Sequence, residues 1–101
     1  MTDTFTAIAD PTRRQIIAML AEQDLTVNQI ADAFDLTRPA ISKHLRVLRE
    51  TGLVIEQKQG REHLQRFNGA GLSPLSDWVR HYEDFWDRKL SALSTLIEEE
   101  Q

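Results

Sequence analysis

The sequence predicts a mostly α-helical fold with one small β-hairpin, ordered as four helices, two strands and a long last helix, and three observations lead there. Apolar residues recur at helical spacing behind successive cap signals as far as Thr51. After Gly52 the pattern turns to a short β-branched run, a Gln59-Gly60 turn and a second run. From Ser73-Pro74 the helical period returns and lasts almost to the end of the chain.

Taking the elements in order, Phe5 and Ile8 mark a short leading helix. Asp10-Pro11 then opens a second, because Asp accepts from first-turn N–H groups and Pro has no N–H to leave unpaired there. It should run to about Ala21, with Ile16, Ile17 and Leu20 on the core and Arg13, Arg14 and Glu22 in water. Thr26-Val-Asn-Gln29 has the form of a capping box and starts a third helix whose core face is Ile30, Ala31 and Phe34.

Asp35-Leu36-Thr37 is a short connection, and Thr37 caps a fourth helix that tolerates Pro39 in its first turn and ends at a left-handed Gly52. Ile41, Leu45 and Leu48 form its core stripe, so steps of about 100° put Pro39, Lys43 and Arg46 opposite, with Ser42 beside them. Two helices on a tight turn, the second basic on its outer face, make a helix-turn-helix, whose second helix is the one that enters the major groove of DNA. Leu53-Val54-Ile55 and Glu62 to Phe67 flank the Gln59-Gly60 turn as a two-stranded wing, with Leu64 as its clearest inward residue.

Gly69-Ala70-Gly71 reads as a linker, after which Ser73 caps and Pro74 begins one helix reaching about Glu99. Its apolar residues, including Trp78, Val79, Tyr82, Phe85, Trp86, Leu90 and Leu93, cover more than one stripe. A small body can bury only one, and the aromatic excess is what a homodimer interface needs.

With 101 residues, 41% of them hydrophobic and 28% charged, the chain should be a single globular domain over residues 1–101. No apolar run approaches the ~18 residues of a membrane span, and the start lacks the pattern of a signal peptide, so a cytoplasmic location is expected. The absence of cysteine excludes disulfides, thiolate metal sites and cysteine nucleophiles. The net charge of -4 speaks against a nucleic-acid partner only until it is divided. Between Thr37 and Arg66 seven basic residues face three acids, an excess of four, which leaves -8 for the rest. This is a basic head on an acidic body.

Ala9-Asp-Pro-Thr-Arg-Arg14, Leu36-Thr-Arg-Pro-Ala-Ile-Ser-Lys-His-Leu-Arg-Val-Leu48, Glu50-Thr-Gly-Leu-Val54 and Gly60-Arg61 together resemble the ArsR/SmtB family of transcriptional repressors, over almost the whole chain. The resemblance implies a winged helix-turn-helix fold, a homodimer built from the first and last helices, and recognition helices in successive major grooves of a dyad operator in double-stranded DNA. By position in the family motif, Arg38, Pro39, Ser42 and Lys43 face bases and phosphates, with Thr37 and His44 alongside. Arg46 joins them from the outer face, and Arg61 at the wing tip is placed for the minor groove or a phosphate. The dimer residues implied are Phe5, Ile8, Trp78, Tyr82, Phe85, Trp86 and Leu93.

Metal-sensing relatives carry a Cys-x-Cys pair where this chain has Thr26, Val27 and Asn28, and others use a donor set on the last helix of which His81-x-x-Asp84, near Asp77 and Asp87, is a partial echo. A cysteine-free branch with no metal site and no cofactor is the reading this favours, its inducer unidentified; a metal-responsive repressor using the last helix is the alternative. An enzyme is disfavoured, since His44, His63 and His81 fall on separate elements and no phosphate loop or nucleophile motif occurs. A winged helix that only docks proteins is a further alternative, but such a helix needs exposed apolar residues where Arg38, Ser42, Lys43 and Arg46 stand.

Overall fold

A computed structural model describes residues 2–99, so the outermost ends of the expected 1–101 domain lie outside the described residues. The elements are α1 (Thr4–Ala9), α2 (Pro11–Glu22), β1 (Leu25–Thr26), α3 (Val27–Ala33), α4 (Arg38–Glu50), β2 (Val54–Gln59), β3 (Glu62–Phe67), a 3-10 turn (Gly69–Leu72), α5 (Ser73–His81) and α6 (Glu83–Glu99). The sheet is antiparallel with order β1-β3-β2. The mostly helical class with a small wing is as predicted.

The core joins one or more residues from each early element: Ala7 of α1, Ile16 and Leu20 of α2, Leu25 of β1, Ile30 of α3, Ile41, Leu45 and Leu48 of α4, then Leu53 and Val54. Each sits where helical or strand spacing turns its apolar side inward, and burying each large side chain of this kind stabilises by about 1.5–3 kcal/mol before entropy is counted. No residue of α5 or α6 is buried. The molecule is consequently elongated, 65 × 26 × 23 Å.

The cap signals at Asp10, Thr26 and Thr37 hold. Thr26 accepts from Gln29 N at 3.2 Å while the Gln29 side chain accepts from Thr26 N at 2.9 Å, a complete capping box. Gly52 takes φ +78°, Gly52 N donates to Arg49 O and Leu53 N to Leu48 O, so α4 ends in a Schellman motif that glycine enters without strain. Asp10 closes α1 and opens α2, accepting from Arg13 N at 3.0 Å. That bond, opposed by partial burial and helped by the charges of His44 and Arg13, holds its carboxyl below the usual value of 3.8.

Six expectations are corrected. Arg13 is half-buried rather than in water, donating to Ala7 O and Thr6 O, while Arg14 is exposed as expected and donates to Ile8 O and Ala9 O, so that both satisfy the last carbonyls of α1. The sheet has three strands, because Leu25 and Thr26 pair with Gln65 and Leu64. The inward residue of β3 is Gln65, fully buried, whereas Leu64 is half-buried on the other face. The Gly69–Leu72 linker is a 3-10 turn, and Leu72 rather than Ser73 stands at the N-cap of α5, with no side-chain cap.

Finally, the last helix is two helices broken at Tyr82 (φ -104°, ψ 4°), whose N–H bonds Val79 O instead of continuing the ladder. Neither Gly nor Pro marks the break. Charge does: Arg80 and His81 end α5 and Glu83 and Asp84 begin α6, each sign suited to the dipole at that terminus.

Candidate nucleic-acid interface

Thr37 Oγ1 accepts from Ala40 N at 3.3 Å and so fixes the start of α4, where Arg38 and Pro39 are exposed. A turn further on, Ser42 is half-buried and Lys43 exposed, and Arg46 is exposed in an i,i+4 pair with Glu50 at 3.4 Å. Such a solvated pair holds Arg46 weakly and leaves it able to turn to a phosphate. Ser42, Lys43, Arg46 and Arg49 line a shallow depression of about 350 Å³ along this face. The amphipathic reading of the helix therefore carries over to three dimensions, with Ile41, Leu45 and Leu48 buried behind it.

His44 is half-buried on the flank facing α2, its Nδ1 3.5 Å from an Arg13 guanidinium nitrogen. It stands apart from the exposed basic row.

The wing turns through Gly60 and Arg61, one residue later than the expected Gln59-Gly60, because Gln59 still pairs with Glu62 at the end of β2. Gly60 has φ +62° and Arg61 is not in the left-handed region, which is the type II′ pattern with glycine at its first central position. The turn matches the twist of β2 and β3 and carries Arg61 out at the tip, exposed. Arg38 and Arg61, 23 positions apart in sequence, line one cleft of about 210 Å³ together with Thr26, Val27, Asn28, Glu62 and His63. The α4 start and the wing tip thus flank a common opening.

Sequence reasoning missed Asn28 and His63 as members of this cleft. The cause is β1: two residues long, it pairs with β3 and draws the start of α3 against the wing, and no composition signal marks a strand that short.

The residues assigned to self-association divide. Trp78, Tyr82, Phe85, Trp86 and Leu93 are all exposed, Trp86 at 60% of its surface. Trp78, Val79, Tyr82, Phe85 and Trp86 surround an apolar depression of about 320 Å³ at the α5–α6 break. Phe5 is also exposed and meets Trp78 edge-on at 6.2 Å between ring centres, joining α1 to this face. Ile8 is half-buried against the core of its own subunit.

Among the described residues no three His, Asp or Glu side chains converge into a set that could hold a metal ion, His81 and Asp84 included. No described helix is long and apolar enough to cross a membrane.

Comparison with known proteins gives a consistent result. Residues 10–56 match the bacterial regulatory protein, arsR family. Transcriptional repressor SdpR of Bacillus subtilis is 31% identical over 90 residues, 89% of this chain and 100% of the relative. An ArsR-like transcriptional regulator from Rhodococcus sp. RHA1 superposes with a TM-score of 0.71 at 35% identity, over 91% of this chain and 87% of that one. The homodimeric winged helix-turn-helix DNA-binding domain Mb0332 from Mycobacterium bovis, a possible ArsR-family transcriptional regulator, gives a TM-score of 0.62 at 29% identity, over 77% and 72%.

Proposed function

The chain belongs to the arsR family of bacterial regulatory proteins and is a DNA-binding transcriptional regulator, and on that premise we propose that it acts as a homodimeric, metal-independent repressor of a dyad operator. In this reading α4 enters the major groove, with Arg38, Pro39, Ser42 and Lys43 at bases and nearby phosphates and Thr37 and Arg46 at the backbone, while Arg61 reaches the adjacent minor groove or its phosphates. His44 belongs beside these residues in sequence, and its role is to steady α4 on Arg13 and α2.

The observation that carries the reading is the shared cleft of Arg38 and Arg61. The phosphodiester strand between a major groove and the next minor groove must pass between recognition helix and wing, and cations on both banks neutralise it. A protein-docking role for α4 lacks such support, because its outer face is charged and polar.

Homodimerisation is supported by the exposed apolar side of α5 and α6, too large for a monomer to leave in water, and by the homodimeric state of the Mycobacterium bovis relative. Two heads related by a two-fold axis fit half-sites about one helical turn apart.

The test is fluorescence anisotropy with the DNA upstream of the protein's own coding region, against a scrambled duplex, with and without zinc. Salt-sensitive binding of two subunits per site, preferring the upstream duplex and indifferent to zinc, is the expected result. Binding that zinc abolishes would replace it with the metal-responsive alternative.

A further inference from the structure

We propose that Gln65 is a positioning residue for DNA recognition: its buried amide locks the wing to the recognition helix, so that Arg61 and the α4 face meet DNA as one rigid unit. The inference rests on the wing contact proposed above. Gln65 is the one charged or amide side chain among the described residues that is fully buried, and it lies on β3, the central strand. Arg49 Nη1, in the last turn of α4, donates to Gln65 Oε1 at 3.1 Å. Gln65 Nε2 donates to Glu56 Oε1 at 2.9 Å, across the β2–β3 register in which Glu56 and Gln65 are paired. His63 Nδ1, two residues nearer the wing tip, lies 3.8 Å from the same carboxylate oxygen. A polar chain therefore runs from α4 through the sheet toward Arg61.

The chemistry at position 65 is restrictive. A guanidinium offers only donors and a carboxylate only acceptors, so the side chain between them must accept on one side and donate on the other. An amide does both. A carboxylate there would satisfy Arg49 but press like charge and paired lone pairs on Glu56, and an aliphatic side chain would leave both neighbours to water. Arg49 also lines the depression shared with Ser42, Lys43 and Arg46, so the tether attaches to the same helix face that is read as facing DNA. The rest of β2 beyond Val54 is exposed, and apolar packing does little to fix the outer wing.

The experiment is a double-mutant cycle on the full chain, Gln65→Met against Arg61→Ala, with a labelled duplex that the native protein enriches from a randomised library as the probe. In the native background Arg61→Ala should weaken binding about tenfold. In the Gln65→Met background the same change should cost no more than about threefold, since an untethered wing no longer holds Arg61 in place. Equal losses in both backgrounds would overturn the inference while leaving the wing contact intact. No loss from Arg61→Ala in the native protein would overturn the wing contact and the inference with it.

Should Gln65→Met fail to fold, the second arm uses Gln65→Glu, alone and with Glu56→Gln. The single change should weaken binding to the duplex and the pair should restore it, because donor and acceptor again alternate along the chain. Equal weakening by the single and the paired change would overturn the inference.

Discussion

At the scale of single residues, the outer face of α4 was readable because a helix repeats every 3.6 residues, so placing Ile41, Leu45 and Leu48 inside placed Lys43 and Arg46 outside. Residues whose position depends on another element were not. His44 falls between the two faces by spacing, and only the arrival of Arg13 decides its surroundings. Gln65 is invisible as a core residue because polar amides are mostly exposed, and its burial depends on Arg49 and Glu56 reaching it from two other elements. At this scale Lys43→Ala and Arg61→Ala are each expected to lower the slope of log affinity against log salt by roughly one for every phosphate the side chain neutralises. Anisotropy titrations at a series of salt concentrations measure this, and a slope equal to the native one takes that residue off the DNA-facing surface.

Most elements were legible where their ends carry local chemistry, the expected Ser73 cap being the exception. Asp10, Thr26 and Thr37 cap helices in the structure as their sequence contexts predict, since capping needs only residues within one turn. Asp10 serves two helices, and its carboxyl is held below the ordinary value chiefly by the Arg13 N–H. A carboxyl whose pKa is lower folded than unfolded binds fewer protons in the folded state, so its contribution is complete above the unfolded value and disappears as pH falls through the folded one. Asp10→Ala should therefore cost about 1 kcal/mol near neutral pH and little once acid has protonated the native carboxyl. Urea melts of both proteins along a pH series check this, and a gap that persists into acid would contradict it. The break at Tyr82 was less legible, because apolar spacing runs on through it, although the sign change from Arg80-His81 to Glu83-Asp84 was present to be read.

For the molecule as a whole, the division of labour follows from what the core can cover. The core uses α1 to α4 and the base of the sheet, and α5 and α6 extend from it with Trp78, Trp86, Leu90 and Leu96 more than half exposed. Burial of these side chains by a second subunit is the stabilisation proposed to hold the dimer, and aromatic residues dominate such energetics. Trp86→Ala is accordingly expected to shift sedimentation toward monomer and to weaken operator binding with it, because two half-sites bind jointly. A Trp86→Ala protein that sediments as the native dimer would place the interface elsewhere on the chain.

The sequence by itself determined α2, α3 and α4 with their caps and inward stripes, the basic outer face of α4 and the place of Arg61 at the wing tip, because all of these rest on spacing and on interactions within a turn or two. Only the tertiary structure decided that Arg13 and Arg14 serve α1, that β1 joins the sheet, that Arg38 and Arg61 share a cleft and that Gln65 is buried between Arg49 and Glu56. Each of these brings together groups from different elements, and the burial and hydrogen bonding that hold them arise only once the chain has closed on itself.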